Sequence, residues 1–253
     1  MKEKLFAAVM VSLLLMVSAC NRKQDNTQLQ VALWYQGAQV NCQAIPIDSN
    51  PWQLDTLAFY LSDAKLVSAQ SSYPVRFYSD VPELQLIRLD SHNCLGQVTL
   101  RTEKPFSFGD SLAFTLGVPF DVNHRNPVTQ PMPLNIPDMF WTWRNGYKFL
   151  RLDMHTEGDN WAYHLGSVGC LSDSAVRAPN SSCTRPNRHQ FHLTIPDAQS
   201  WTLVLHLDRL IADMSLSQQN RCVMHGETEP LCEHLYRNLS AASPSIFSLE
   251  PVQ

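Results

Sequence analysis

Nine histidines, seven cysteines and six tryptophans are the side chains of this 253-residue chain best suited to hold a metal or exchange electrons. Three of the histidines and three of the tryptophans fall in one stretch, Gly117 to Cys170: His124, His155, His164, Trp141, Trp143 and Trp161. Neutral imidazole is a ligand for copper, zinc, iron and nickel. His124 and His164 are far apart in sequence, so only tertiary structure can bring them to one ion. His155 follows Asp153 at the spacing that puts both on one strand face, where a carboxylate can orient an imidazole through its second nitrogen. His206 and Asp208 repeat that spacing. Each of these histidines also has a plainer reading, as a hydrogen-bonded turn or core residue. His189 and His192 flank Phe191 and read as surface residues. Met224 and His225 are adjacent, so their side chains diverge, and His234 sits in the same tail. No H-E-x-x-H or comparable local signature is present.

Trp141 and Trp143 are two residues apart. In an extended segment that places both indoles on one face, edged by Phe140 and Tyr147. The plain reading of such a pair is core burial. No G-x-S-x-G elbow, Gly-rich phosphate loop or paired-carboxylate spacing points to catalysis, so the chain reads as a non-enzyme. A metalloenzyme with an open position on its metal is a further alternative.

These residues must be positioned by strands. Pro119, Pro127, Pro131, Pro133 and Pro137 leave little room for helix or central strand, so the first half of the stretch is a long loop. Tyr147–Met154 and Trp161–Gly166 are strand-like, joined by Glu157 to Asn160. Leu29–Tyr35, Leu57–Val67 (a bent strand pair or one long strand, with Ser62-Asp63 at the break), Val75–Tyr78, Leu84–Leu89, Gln97–Leu100, Ser111–Leu116, Phe191–Ile195 and Trp201–Leu207 read as further strands, and Gln43–Pro51 as loop. Only Leu207–Met214 and Cys232–Asn238 suggest helix. The expectation is all-β: one antiparallel β-sandwich over residues 29–253, carrying a long Pro/Trp-rich loop and disulfide clips.

Residues 1–19 read as an export leader: Lys2 and Lys4 precede an apolar run from Leu5 to Val17. Val17-Ser18-Ala19-Cys20 matches a bacterial lipobox, which makes Cys20 the lipidated N-terminus and residues 20–28 a short tether. With Asn21 next, the expected place is the outer membrane of a Gram-negative bacterium, facing the periplasm. Three acyl chains anchor far more firmly than one. In that oxidising compartment an even set of six further cysteines reads as disulfides rather than thiolate ligands. Six allow fifteen pairings, and spacing only ranks them: Cys170–Cys183 and Cys222–Cys232 close short loops, which leaves Cys42–Cys94. Formal net charge is -4, and losing Lys2, Glu3 and Lys4 makes the mature chain one unit more acidic. There is no basic patch, which excludes nucleic acid as the expected partner.

A set of motifs then points to a family. Gly117-Val118-Pro119-Phe120, Asn123-His124, Pro133-Leu134-Asn135, Met139-Phe140-Trp141-x-Trp143, Gly146 to Arg151 and His164-Leu165-Gly166-Ser167-x-Gly169-Cys170 occur in order. Phe59 to Asp63, Cys183-x-x-Pro186-Asn187-Arg188 and Cys222-x-Met224 through Cys232 extend the match. Together they resemble the MbnP-like proteins, the four-cysteine member of a metallo-mystery pair. The resemblance implies a periplasm-facing copper-binding protein with copper as cofactor. His124 and His164 match family histidines, and His155 and His206 are further ligand candidates. It implies a partner, a di-haem c-type cytochrome of the peroxidase-like MbnH type, which oxidises a tryptophan to kynurenine near the metal. Trp141 and Trp143 are the expected targets, with Trp161 third. The alternative is a metal-free cell-surface binding or adhesion module that uses the aromatic loop.

Overall fold

The computed structural model describes residues 25–223 and 230–252. The leader, the Cys20 lipidation site, Met224 and His225 lie outside the described residues. No described helix is long and apolar enough to cross a membrane.

The chain forms two packed sheets, as an all-β sandwich requires. One has the order Phe247–Pro251, Trp201–His206, Asp25–Tyr35, Leu95–Thr102, Arg76–Phe77. The other runs His189–Thr194, Ser111–Leu116, Asn50–Ser68, Gly146–Thr156, Asp159–Gly166, Cys222–Val223, with Leu84–Leu89 and the short strands Ile45–Ile47 and Ser71–Pro74 also on Asn50–Ser68 and Phe140–Thr142 on Gly146–Thr156. Pairing is antiparallel except at two places. Asp25–Tyr35 runs parallel to Trp201–His206, and Cys222–Val223 runs parallel to Asp159–Gly166.

Asn50–Ser68 organises the molecule. Its centre, Leu57 to Tyr60, is wholly buried, because each face has its own cover. Phe59 packs on Phe247 of the first sheet, ring centroids 5.5 Å apart. Tyr60 points the other way, as alternation demands, and donates its hydroxyl to the Pro133 carbonyl at 3.0 Å. Tyr147, beside it at 5.7 Å, donates to the Leu134 carbonyl at 2.6 Å. The Pro-rich loop is therefore a third layer. Leu134 and Met139 are buried beneath it. Each such apolar side chain contributes about 1.5–3 kcal/mol by burial, and the two phenols fix the carbonyls that proline spacing leaves without sheet partners.

Several local expectations are corrected. Of the two readings of Leu57–Val67, one long strand is the one observed rather than a bent pair: Ser62-Asp63 is a bulge within it, with Asp63 at φ +53°, and Arg188 bonds both side chains there. Gln43–Pro51 is not all loop, since Ile45–Ile47 pairs with Asn50–Trp52. Residues 25–28, placed in the tether on sequence, pair with Thr102–Thr99. Among the described residues the helical segments are Leu207–Leu210 and Pro230–Ser240, with single turns in the loop and at Gln218–Asn220. Disulfides join Cys42–Cys94, Cys170–Cys183 and Cys222–Cys232, the pairs that spacing ranks first. The second folds its loop back on the end of Asp159–Gly166, where Val168 and Arg185 exchange backbone hydrogen bonds at 2.9 and 3.0 Å.

Candidate metal centre

A hairpin sets the first candidate. Thr156 pairs with Asp159 across a two-residue turn, which puts Arg151 opposite His164 and Asp153 opposite Ala162. Directly opposed residues share a face, so Arg151, Asp153 and His164 project together. His164 Nε2 lies 2.6 Å from Asp153 Oδ1. A carboxylate only accepts, so Nε2 carries the proton and Nδ1 presents a bare lone pair. Among the described residues Nδ1 is buried with no hydrogen-bond partner, and the His164 side chain is only 12% exposed. A buried polar atom left unpaired costs about 1–3 kcal/mol. An imidazole held by a carboxylate on one nitrogen and bare on the other is the usual arrangement of a metal-ligating histidine, so this residue fits copper.

The carboxylate is itself braced. Burial works to raise the Asp153 pKa, but the hydrogen bond from His164 and the guanidinium of Arg151 outweigh it and hold the carboxyl below its ordinary value. Arg151 Nε meets Asp153 at 2.5 Å and its Nη1 meets Asp138 at 2.9 Å, while Arg88 holds Asp138 at 2.8 Å. Asp138 sits in the single turn Pro137–Met139, immediately before the tryptophan segment, so this ladder ties the loop to the strands.

Trp141 completes this corner. A Cβ built on Gly166 would lie 2.4 Å from Trp141 Cζ3, so the indole rests on that glycine. Gly166 is two residues beyond His164 on the same strand and shares its face, a rise of about 7 Å. Any side chain at 166 would displace the indole. Trp143 is placed differently. Phe140–Thr142 is extended, but residues 143–145 turn, so the two indoles do not share one face as an extended segment would require. Trp143 packs edge-on against Phe140 at 5.9 Å. Both tryptophans are half-buried, whereas Trp161 is buried, with its Nε1 donating to the Asn220 carbonyl at 2.8 Å.

His124 lies beyond the other end of the same segment. Its Nδ1 donates to the Trp143 carbonyl at 2.9 Å. The backbone N–H of Tyr147 donates to Asn123 Oδ1 at 2.8 Å, which fixes the amide so that its Nδ2 donates to His124 Nε2 at 3.1 Å. Gly146, at φ +77°, leaves room for that amide; a Cβ there would sit 2.4 Å from it. Both ring nitrogens of His124 are thus engaged, the ring is buried, and burial lowers its pKa against the smaller opposing effect of the Trp143 bond. His124 Nε2 also lies 3.8 Å from Cys183 Sγ. His124, Cys170 and Cys183 have ligand atoms all within 4.8 Å of one another, but the two sulfurs are bonded together and are not thiolates.

His155 and His206 join neither corner. His155 pairs with Asp55 at 2.7 Å and is well exposed. It is four residues along its strand from Arg151, the partner of His164, a span of about 13 Å. Asp153, expected to orient His155, orients His164 instead. His206 is buried in the first sheet, with Nε2 2.8 Å from Ser248 Oγ and its ring edge-on to Trp34. His189 is not simply at the surface, for it packs on Phe191 at 4.7 Å; His192 is exposed.

Comparison with known proteins agrees with this architecture. A family model described as MbnP matches residues 24–225. The solved structure of MbnP from Methylosinus trichosporium superposes with a TM-score of 0.75 at 20% identity, covering 91% of this chain and 100% of that one. No curated protein matches.

Proposed function

The chain belongs to the MbnP family, and on that footing we propose that it is an exported copper-binding protein and the substrate, rather than the catalyst, of a di-haem cytochrome that oxidises Trp141. The observation that carries this reading is the buried Nδ1 of His164, without a hydrogen-bond partner among the described residues, on the strand whose Gly166 supports the Trp141 indole. His164 would hold the ion through Nδ1. Asp153 fixes the tautomer and ring plane, and Arg151 with Asp138 fixes Asp153. Copper supplies a nitrogen-seeking cation at that lone pair. The Gly166 surface orients the indole, whose half-exposed position gives an external oxidant access to it. Oxidation to kynurenine opens the pyrrole ring and leaves an aniline nitrogen, a further donor on the face that His164 already occupies. His124 belongs to this reading as a brace: it holds the Trp143 carbonyl and so sets the hairpin that aims Trp141. Attachment through Cys20, with the protein facing the periplasm, places it where a soluble haem partner reaches it.

Co-production with and without the cytochrome tests this. Intact mass should change by the net exchange of one carbon for one oxygen only when the partner is present, and copper should be retained by that form. An unchanged mass together with no retained copper overturns the reading. The metal-free binding-module alternative draws on one observation: Phe120, Val128, Met132, Leu171 and Val176 are exposed on the two loops around the tryptophan segment. It is favoured instead if His164→Ala leaves function intact and a protein or sugar ligand quenches tryptophan fluorescence.

A further inference from the structure

The Cys170–Cys183 disulfide has a histidine nitrogen against it, and that contact has no role in the copper reading at His164. We propose that reduction of this disulfide converts the corner into a Cys2His site for a thiophilic cation, copper(I) foremost. The donor atoms are already gathered. His124 Nε2, Cys170 Sγ and Cys183 Sγ lie within 4.8 Å of one another, and the nitrogen-to-Cys183 separation is 3.8 Å. Nitrogen and sulfur donors at about 2.0 and 2.3 Å from one tetrahedral ion are about 3.5 Å apart, so the gap is close to that of two ligands of a single metal. The two sulfurs need only separate once the bond between them is broken.

The imidazole is prepared for this. Its Nδ1–H is held by the Trp143 carbonyl at 2.9 Å, and a backbone carbonyl on the far nitrogen is one of the common braces of a ligating histidine. The nitrogen facing the sulfurs is the one without a proton, and its present partner is the Asn123 amide, a neutral donor that a cation displaces. His124 and Cys183 are buried, which disfavours loose hydration of an ion there. The loop closed by the disulfide, residues 171–182, is largely exposed and anchors to the hairpin through Arg144 N–H to the Ala175 carbonyl at 3.2 Å. It can open toward a reductant without unpacking the sheets.

The step balances with a dithiol donor of the thioredoxin-like class. A donor thiolate attacks one sulfur, a mixed disulfide forms, and the second donor thiol resolves it. Two electrons and two protons reach Cys170 and Cys183, and the donor leaves as a disulfide. Metal binding then releases the thiol protons. Soft thiolates with one imidazole select copper(I) or zinc over harder ions.

The experiment uses the full-length protein carrying His164→Ala, so that copper at the first site does not contribute and the two proposals fail separately. The protein is treated anaerobically with dithiothreitol, and copper(I) alone is added in competition with a coloured chelator. The expected result is one copper(I) per chain with a thiolate-to-copper ultraviolet band, seen only after reduction, and protection of Cys170 and Cys183 from alkylation by the bound ion. Affinity should fall at least about 10-fold in His124→Gln, the scale reached even by residues behind the ligands, and the band should vanish in the Cys170→Ser/Cys183→Ser pair. Because the serine pair could fail to fold, His124→Gln, which keeps the disulfide, carries the test independently. Equal binding by the oxidised protein, no loss in His124→Gln, or protection of the other four cysteines instead overturns the proposal.

Discussion

The two histidine corners at either end of the Trp141–Trp143 segment are built to opposite ends. At His164 one ring nitrogen is fixed by a carboxylate at 2.6 Å and the other is buried with nothing to bond. At His124 both nitrogens have partners, a carbonyl and an amide, in a pocket closed by a disulfide. The first arrangement carries an unpaid polar cost that a cation removes. The second is already satisfied and serves to hold the hairpin. Burial and family motif alone do not separate a ligand from a brace; the hydrogen bonds at each ring nitrogen do.

The contrast is sharpest under substitution. His164→Ala should weaken copper binding at least about 100-fold, beyond the 10–100-fold range of residues that merely support a ligand, while His124→Gln in the oxidised protein should change it only a few-fold; titration against a chelator reads both. A comparable loss in the two variants would erase the distinction. Asp153→Asn should cost about 10–100-fold in copper affinity, because the amide no longer fixes the tautomer, and isothermal titration measures it. Replacing Cys170 and Cys183 together by serine should lower stability by about 2–4 kcal/mol, read by denaturant unfolding, with copper at His164 retained.

The smallest effect is in pH. Burial depresses the His124 pKa, so the unfolded chain takes up its proton first as pH falls. Stability from this residue is complete above the unfolded value near 6.5 and declines as pH drops from there toward the lower folded value. Half-buried His189 and buried His206 are shifted the same way. The thermal midpoint should therefore fall between about pH 7 and 5, and His124→Gln should flatten that slope. A steeper slope in the variant contradicts the assignment.

Much of the fold was legible in sequence because strands were punctuated by Pro, Asp, Asn and Gly, and because cysteine spacing favoured the shortest loops. Loop and site were less so. Pro133 and Leu134 carried no sign that two phenols from distant strands would take their carbonyls. The Asp153–His164 pair was missed because Asp153 was assigned to the imidazole on its own strand. Its signal was present in Glu157-Gly158: read as a two-residue hairpin turn, it sets the register that brings His164 diagonally over Asp153. The divergence of Trp141 from Trp143 depends on a turn at residues 143–145 that requires Gly146 at positive φ and the Asn123 amide beneath it. Spacing within the segment does not contain that information.

The most direct test is an anomalous difference map at the copper edge, from crystals of protein co-produced with the proposed haem partner. The account predicts a single peak about 2 Å from His164 Nδ1, with the side chain at position 141 opened on the same face. A peak at His155 or His206, or an intact Trp141 beside an empty His164, would contradict it.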